Sequence, residues 1–170
     1  VAYEEKSEII CGMIFDPIKN EMFFAEKGSG AFLNNSRIRV SSKKNLKESI
    51  LVTGGPRSNS KKRESIFKEY VEISNSINMP IRKFGSAALD MANVACGRFD
   101  GFWQWELNYW DIAAGLIIVK ESGGFVDFLK KDEKILSKNN IIATNSKIHQ
   151  ELKSILEKKY WVKIIYNIKQ

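Results

Sequence analysis

The sequence predicts a mixed α/β protein of the layered α+β kind, in which antiparallel strands come first and an α/β sheet unit follows. Three observations carry this reading. Over the first 40 residues, short apolar runs are separated by Gly, Pro and Asn turn residues. From Ser49 onward, short apolar runs alternate with stretches of helical spacing. The chain has 170 residues, 44% hydrophobic and 11% aromatic, enough for a core and too apolar for intrinsic disorder.

The elements follow in order. Residues 8–15 and 21–26 flank Asp16-Pro17-Ile18-Lys19-Asn20, a turn by composition, and make a hairpin. Residues 27–35, with Gly28 and Gly30, and residues 37–40 continue as short strands, and the polar run 41–48 connects them onward. Residues 49–53 read as a buried strand. Gly54-Gly55-Pro56 then opens a polar loop through Ser58 to Lys62. Ile66, Phe67, Tyr70, Val71, Ile73 and Ile77 have the spacing of an amphipathic helix over about 62–76, stopped by Met79-Pro80. Strand 81–84, helix 86–96, strand 99–105, helix 110–122 and strand 125–129 alternate after it. A strand at 140–144, a helix over about 146–158 and an apolar stretch at 161–168 complete the chain. The organisation expected is therefore antiparallel strands of an incomplete sheet over 1–45, an α/β unit over 46–158 and a tail over 159–170. Ile10, Met13, Phe15, Met22 and Phe24 put apolar groups on both faces of the first hairpin, so one face wants a cover that the chain hardly supplies.

Composition narrows the function. Cys11 and Cys96 lie in apolar patterns without metal-ligand spacing, which argues against a disulfide scaffold or zinc site and for a reducing, cytoplasmic setting. His149 is the one histidine, so histidine-rich metal sites are excluded. The longest strongly apolar stretch, 112–119, falls well short of the roughly 18 residues a membrane span needs, so a soluble protein is expected. The net charge of +7 suits nucleic acid, an anionic membrane or a phosphorylated substrate. The lysines are scattered and not interleaved with aromatics, which reads as solvated surface. Val1 falls within a strand-like run, so a preceding segment is expected to be missing.

Two strand-to-helix junctions carry candidate chemistry. Asp111 opens a helix that is apolar on nearly every side, where a carboxylate either caps free N–H groups or projects as a metal ligand. Gly85-Ser86-Ala87-Ala88 opens another, either as an ordinary Ser cap or as a cradle for an anion or hydroxyl-rich ligand. Both junctions belong at the carboxyl edge of an α/β sheet, where ligands commonly bind.

The run Trp110-Asp111-Ile112-Ala113-Ala114-Gly115, with Glu121-Ser122-Gly123-Gly124, resembles the C-terminal signature of the inositol monophosphatase family. Arg82 to Asp90 and Val94 to Gly101 resemble the family's middle block, and Lys27-Gly28-Ser29-Gly30-Ala31-Phe32-Leu33-Asn34 its hairpin. The bacterial branch is nearest. The resemblance implies a magnesium-dependent, lithium-sensitive phosphatase, generally homodimeric, that hydrolyses a phosphate monoester such as inositol 1-phosphate. It implies Asp111 as a magnesium ligand that also contacts the inositol ring, Gly85, Ser86 and Ala87 on the sugar side, and Arg82 as a basic substrate-binding position. Thr53 and Gly54 are weaker candidates for the same pocket.

Two departures qualify the resemblance. Gln104 stands seven residues before Asp111, where the family usually has a glutamate that hydrogen-bonds substrate hydroxyls; a carboxamide lacks the charge and adds a donor. By strand alternation Glu106 shares the face of Gln104 one pair further along, and the glutamate's role is not transferred to it. The family's other metal ligands, from a Gly-Glu-Glu helix and an Asp-Pro-hydrophobic-Asp-Gly-Thr loop, do not occur; Asp16-Pro17-Ile18 imitates the loop, but Lys19 stands in place of its second aspartate. The catalytic residues are expected upstream of Val1, and the chain by itself is expected to be inactive. The rival reading is a degenerate family member kept as a protein-binding or RNA-binding module; a third keeps the chemistry on another sugar or nucleotide phosphate.

Overall fold

Alternation in the first 40 residues becomes a five-stranded antiparallel sheet in strand order β1 (Ala2–Glu5), β2 (Glu8–Asp16), β3 (Glu21–Glu26), β4 (Gly30–Leu33), β5 (Ser36–Arg37). The structure is a computed structural model and describes residues 1–56, 59–129 and 139–157. The β2–β3 turn closes because Asp16 Oδ1 accepts the backbone N–H groups of Ile18, at 3.0 Å, and Lys19, at 3.3 Å.

A second, mixed sheet follows: β6 (Leu51–Thr53), β7 (Gly101–Leu107), β8 (Phe125–Phe128) and β9 (Asn139–Thr144), in spatial order β6-β7-β9-β8. β6 and β7 are parallel, and β9 runs antiparallel to both β7 and β8. Between β6 and β7 come α1 (Arg63–Ser76) and α2 (Ala87–Ala95); α3 (Tyr109–Glu121) joins β7 to β8. Residues 149–157 form a last helix, α4.

Four layers result. α2 and α3 lie between the two sheets, and one core joins Ile14, Phe23 and Ala25 of the first sheet through Met91 and Ile117 to Val52 and Phe102 of the second. The other face of the second sheet packs Trp103, Trp105 and Ile142 against Ile66 and Ile73 of α1 and Leu152 and Leu156 of α4. The layered α/β class read from the sequence is what the chain adopts. α3 approaches the first sheet closely because Gly12 has no side chain; a Cβ there would meet Ile117 Cγ2 at 2.7 Å and Ala114 Cα at 2.9 Å. No helix among the described residues is long and apolar enough to cross a membrane.

The outer face of the first sheet carries Met13 paired with Phe24, Phe24 with Phe32, and Phe15 with Met22. Met13, Phe15, Met22 and Phe24 are exposed, while their neighbours Ile14, Phe23 and Ala25 are buried against α3. The face expected to lack a cover lacks one among the described residues. A shallow hollow lined by Met22, Phe24, Phe32, Asn34 and Asn35 lies on it.

The structure corrects several expected elements. Residues 81–84 form no strand. Arg82 alone bridges Val52, its N–H donating to Leu51 O at 2.9 Å and its carbonyl accepting from Thr53 N at 3.0 Å. Pro80 on one side and Gly85, at φ +89°, on the other confine the pairing to that one residue. The strand at 37–40 is Ser36–Arg37, and the last helix is regular from 149, after a turn in which Asn145 Oδ1 accepts the N–H groups of Lys147 and Ile148. Ser58, Lys158 and the apolar tail lie outside the described residues.

Thr144, His149 and Asp127 stand in sequence within hydrogen-bond reach, 2.7 Å from Thr144 Oγ1 to His149 Nδ1 and 3.3 Å from His149 Nε2 to Asp127 Oδ2. The order resembles a nucleophile's relay, yet Thr144 is fully buried. It is a tie between β8, β9 and α4. Burial raises the Asp127 carboxyl, but hydrogen bonds from Lys153 and His149 outweigh it and hold the group below its ordinary value.

Candidate active site

Parallel pairing of β6 and β7 sends both strands out at one sheet edge, and the site candidates collect there. Arg82 pairs parallel with Val52, so residues 83–86 leave in the same direction and α2 begins at that edge; α3 begins there too, directly after β7. Gly85, Ser86, Ala87 and Asp111 stand just beyond the carboxyl ends of these strands, Arg82 is level with Val52, and Gln104, within β7, is level with Gly54 one residue past the end of β6.

Ser86 is the N-cap of α2. Its Oγ accepts from Leu89 N at 3.4 Å, and its carbonyl from Asp90 N at 2.8 Å. The N–H groups of Ala87 and Ala88 are among the first-turn donors that a helix leaves without internal partners. Gly85 turns the chain into the helix at φ +89°, where an L side chain is strained, and nothing lies within 4 Å of its would-be Cβ. Arg82 is exposed, held by its backbone to β6. Thr53 is buried and donates its hydroxyl to Trp103 O at 2.5 Å, so its side chain serves the sheet.

Asp111 occupies the third position of α3. Its Oδ2 accepts from Asn108 N at 3.1 Å and Asn108 Nδ2 at 3.3 Å, closing a capping box. Oδ1 accepts no hydrogen bond among the described residues. The carboxylate is thus a cap through one oxygen and has the other to offer.

The structure brings out two acids, Asp90, which sequence reasoning passed over, and Glu106, which it set aside. Asp90, on α2, is 1% exposed, and both of its carboxylate oxygens lack a hydrogen-bond partner among the described residues. Burial pushes its carboxyl up to about 7. A signal existed, since an acid stood in a helix whose neighbours Met91, Ala92, Val94 and Ala95 are all apolar. Glu106 lies at φ +60°, inside a bulge where Trp105 and Glu106 together oppose Asn140. Phe102 and Leu107, five residues apart, therefore face the same core, and the alternation that put Glu106 beside Gln104 fails. Glu106 Oε2 is buried without a partner among the described residues. No local pattern announces such a bulge.

Magnesium takes several oxygen ligands in near-octahedral geometry. Among the described residues no group of three or more His, Cys, Asp or Glu could hold a metal ion. Asp111 Oδ1 alone does not make that site.

The class of protein follows from this edge together with the comparison of the whole chain. Residues 1–160 match the inositol monophosphatase family, and the chain belongs to that family. It is 38% identical over 155 residues to the inositol-1-monophosphatase of Caulobacter vibrioides, covering 89% of this chain and 60% of that protein. It is 43% identical over 157 residues to a fructose-1,6-bisphosphatase/inositol-1-monophosphatase of Thermotoga maritima, covering 92% and 58%. The crystal structure of the extragenic suppressor protein suhB of Bartonella henselae superposes with a TM-score of 0.85 at 42% identity, covering 92% of this chain and 60% of that one. The chain thus spans about three fifths of the length of these relatives.

Proposed function

We propose that a protein of full family length carrying this chain hydrolyses a phosphate monoester, with inositol 1-phosphate as the first candidate, and that this chain supplies the polyol-binding side of the site. The observation behind the reading is the convergence of the α2 start, Gln104 and the α3 start on the carboxyl edge of β6 and β7. Hydroxyl-rich ligands need donors and acceptors at close range. The first-turn N–H groups of Ala87 and Ala88 donate to polyol oxygens, the Ser86 hydroxyl and the Gln104 carboxamide do both, and Asp111 Oδ1 accepts from a polyol hydroxyl. Arg82 supplies positive charge for the phosphorylated substrate.

Magnesium is the metal of this reading, with Asp111 as one ligand. The remaining ligands and the water-activating groups belong to the two fifths of family length that the chain does not span. The 170-residue chain alone is therefore inactive. A homodimer and sensitivity to lithium belong to the same reading of the longer protein, and its setting is cytoplasmic.

The test is phosphate release from inositol 1-phosphate with magnesium, measured for the 170-residue chain and for a protein of full family length carrying it. Release by the longer protein only is expected. Release by the short chain would overturn the division of labour, and silence from both would overturn the phosphatase reading.

A further inference from the structure

The inference rests on the phosphatase reading and concerns which substrates that site admits. Thr53 of β6 pairs in register with Trp103 of β7, so the next positions along are Gly54 and Gln104. Residue 54 has no side chain, and the Gln104 carboxamide fills the vacated place; a Cβ on Gly54 would fall inside its Cδ, Oε1 and Nε2 group. The carboxamide leans across the end of β6.

Arg82 borders β6 on its other side. Paired positions in parallel strands share a face, so Arg82 stands on the face of Val52 and Phe102, which Gly54 and Gln104 share two residues on. Ile81, one residue away, packs into the opposite core, as this parity demands. Arg82, at its single bridge to β6, and Gln104, on β7, therefore flank a glycine saddle from backbones about 10 Å apart, at two strand spacings. Neither side chain has a hydrogen-bond or ion-pair partner among the described residues.

A carboxylate at 104 would accept hydroxyl donors and repel any further anion on the substrate. A carboxamide removes the repulsion and turns two N–H donors toward the ligand. We propose that Gln104 is a specificity-determining residue that lets the site admit a second anionic group, phosphate or carboxylate, on a polyol phosphate, and that Gly54 is the positioning residue that sets its carboxamide. Arg82, across the saddle, meets the added charge.

The experiment compares kcat and KM for inositol 1-phosphate and fructose 1,6-bisphosphate in a protein of full family length carrying this chain, with Gln104→Glu, Gln104→Ala, Gly54→Ala and Gly54→Ala/Gln104→Ala. Gln104→Glu, nearly isosteric, is expected to lower kcat/KM for the bisphosphate about tenfold or more beyond whatever it costs the monophosphate. Gly54→Ala should raise KM for the bisphosphate with kcat little changed, and should add nothing once Gln104 is already Ala. Equal effects of Gln104→Glu on both substrates, or hydrolysis of the monophosphate alone by the unaltered protein, would overturn the inference and leave the phosphatase reading standing. Hydrolysis of neither substrate removes the phosphatase reading and this inference with it. If Gly54→Ala fails to fold, the Gln104→Glu comparison decides alone.

Discussion

Glu121, the last residue of α3, accepts the backbone N–H groups of both Gly28 and Gly30, each at 2.9 Å. Two sequence blocks some 90 residues apart, the glycine hairpin and the end of the signature helix, are one structural unit. The Arg37 guanidinium closes it from the other side by donating to Ser29 O at 2.8 Å. Replacing Glu121 with Ala strips two amides of a charged acceptor at a partly solvated rim, where water takes over part of the role. A loss of about 1–2 kcal/mol is expected from the urea midpoint, with an unchanged m value.

Asp90 gives the chain a pH-dependent stability. Its carboxyl titrates near 7 in the folded chain against 3.8 as the ordinary value. Below about pH 4 both states hold the proton. Between about pH 4 and 7 the folded chain keeps a proton that the unfolded chain has released, so raising the pH through this window withdraws stability, and above about pH 7 the loss is complete. At 1.36 kcal/mol per pKa unit the total is on the order of 4 kcal/mol. Unfolding midpoints should fall from pH 5 to pH 8, and Asp90→Asn should flatten that slope. An equally steep slope in the variant would remove Asp90 as its source.

Glu106 holds a left-handed backbone conformation that glycine adopts freely, and it buries a carboxylate oxygen that has no partner among the described residues. Glu106→Gly should therefore stabilise the chain, by about 1 kcal/mol, against the usual direction for glycine in a strand. A lowered denaturation midpoint would show that the carboxylate has a partner worth more than the strain.

Asp111→Asn tests whether folding and chemistry separate at this position. In Asp111→Asn the amide oxygen can still cap Asn108 N, so the midpoint should stay within about 0.5 kcal/mol. In a protein of full family length the same change should cut phosphate release by about 100-fold or more. Parallel losses of stability and activity would reduce Asp111 to a cap.

The outer face of the first sheet predicts association. Met13, Phe15, Met22 and Phe24 form a contiguous apolar surface on the 170-residue chain. Sedimentation should show concentration-dependent self-association, and Phe24→Lys should reduce it without altering the circular dichroism. A monomer at high concentration would mean that the face tolerates water.

Local patterns were enough for much of this fold. The Asp16 turn, the helix start at Ser86, the Asp111 cap in the first turn of α3, the order of strands before alternation and the twofold apolar hairpin all depend on residues within a few positions of each other. Turn chemistry, capping and periodicity act at that range, so the sequence by itself determined most of the element order, the layered class and the two strand-to-helix junctions. Residues 81–84 show the limit: an apolar pattern promised a strand, and the bracketing Pro80 and Gly85 left one bridge at Arg82. Tertiary structure alone decided the rest. The clamp of Glu121 on Gly28 and Gly30, the bulge that turns Glu106 off its face, the orphaned Asp90 carboxyl and the seat of Gln104 on Gly54 each join residues that meet only when strands find their register and helices their depth. Register and burial are set by the whole packed core, and no stretch of chain contains them.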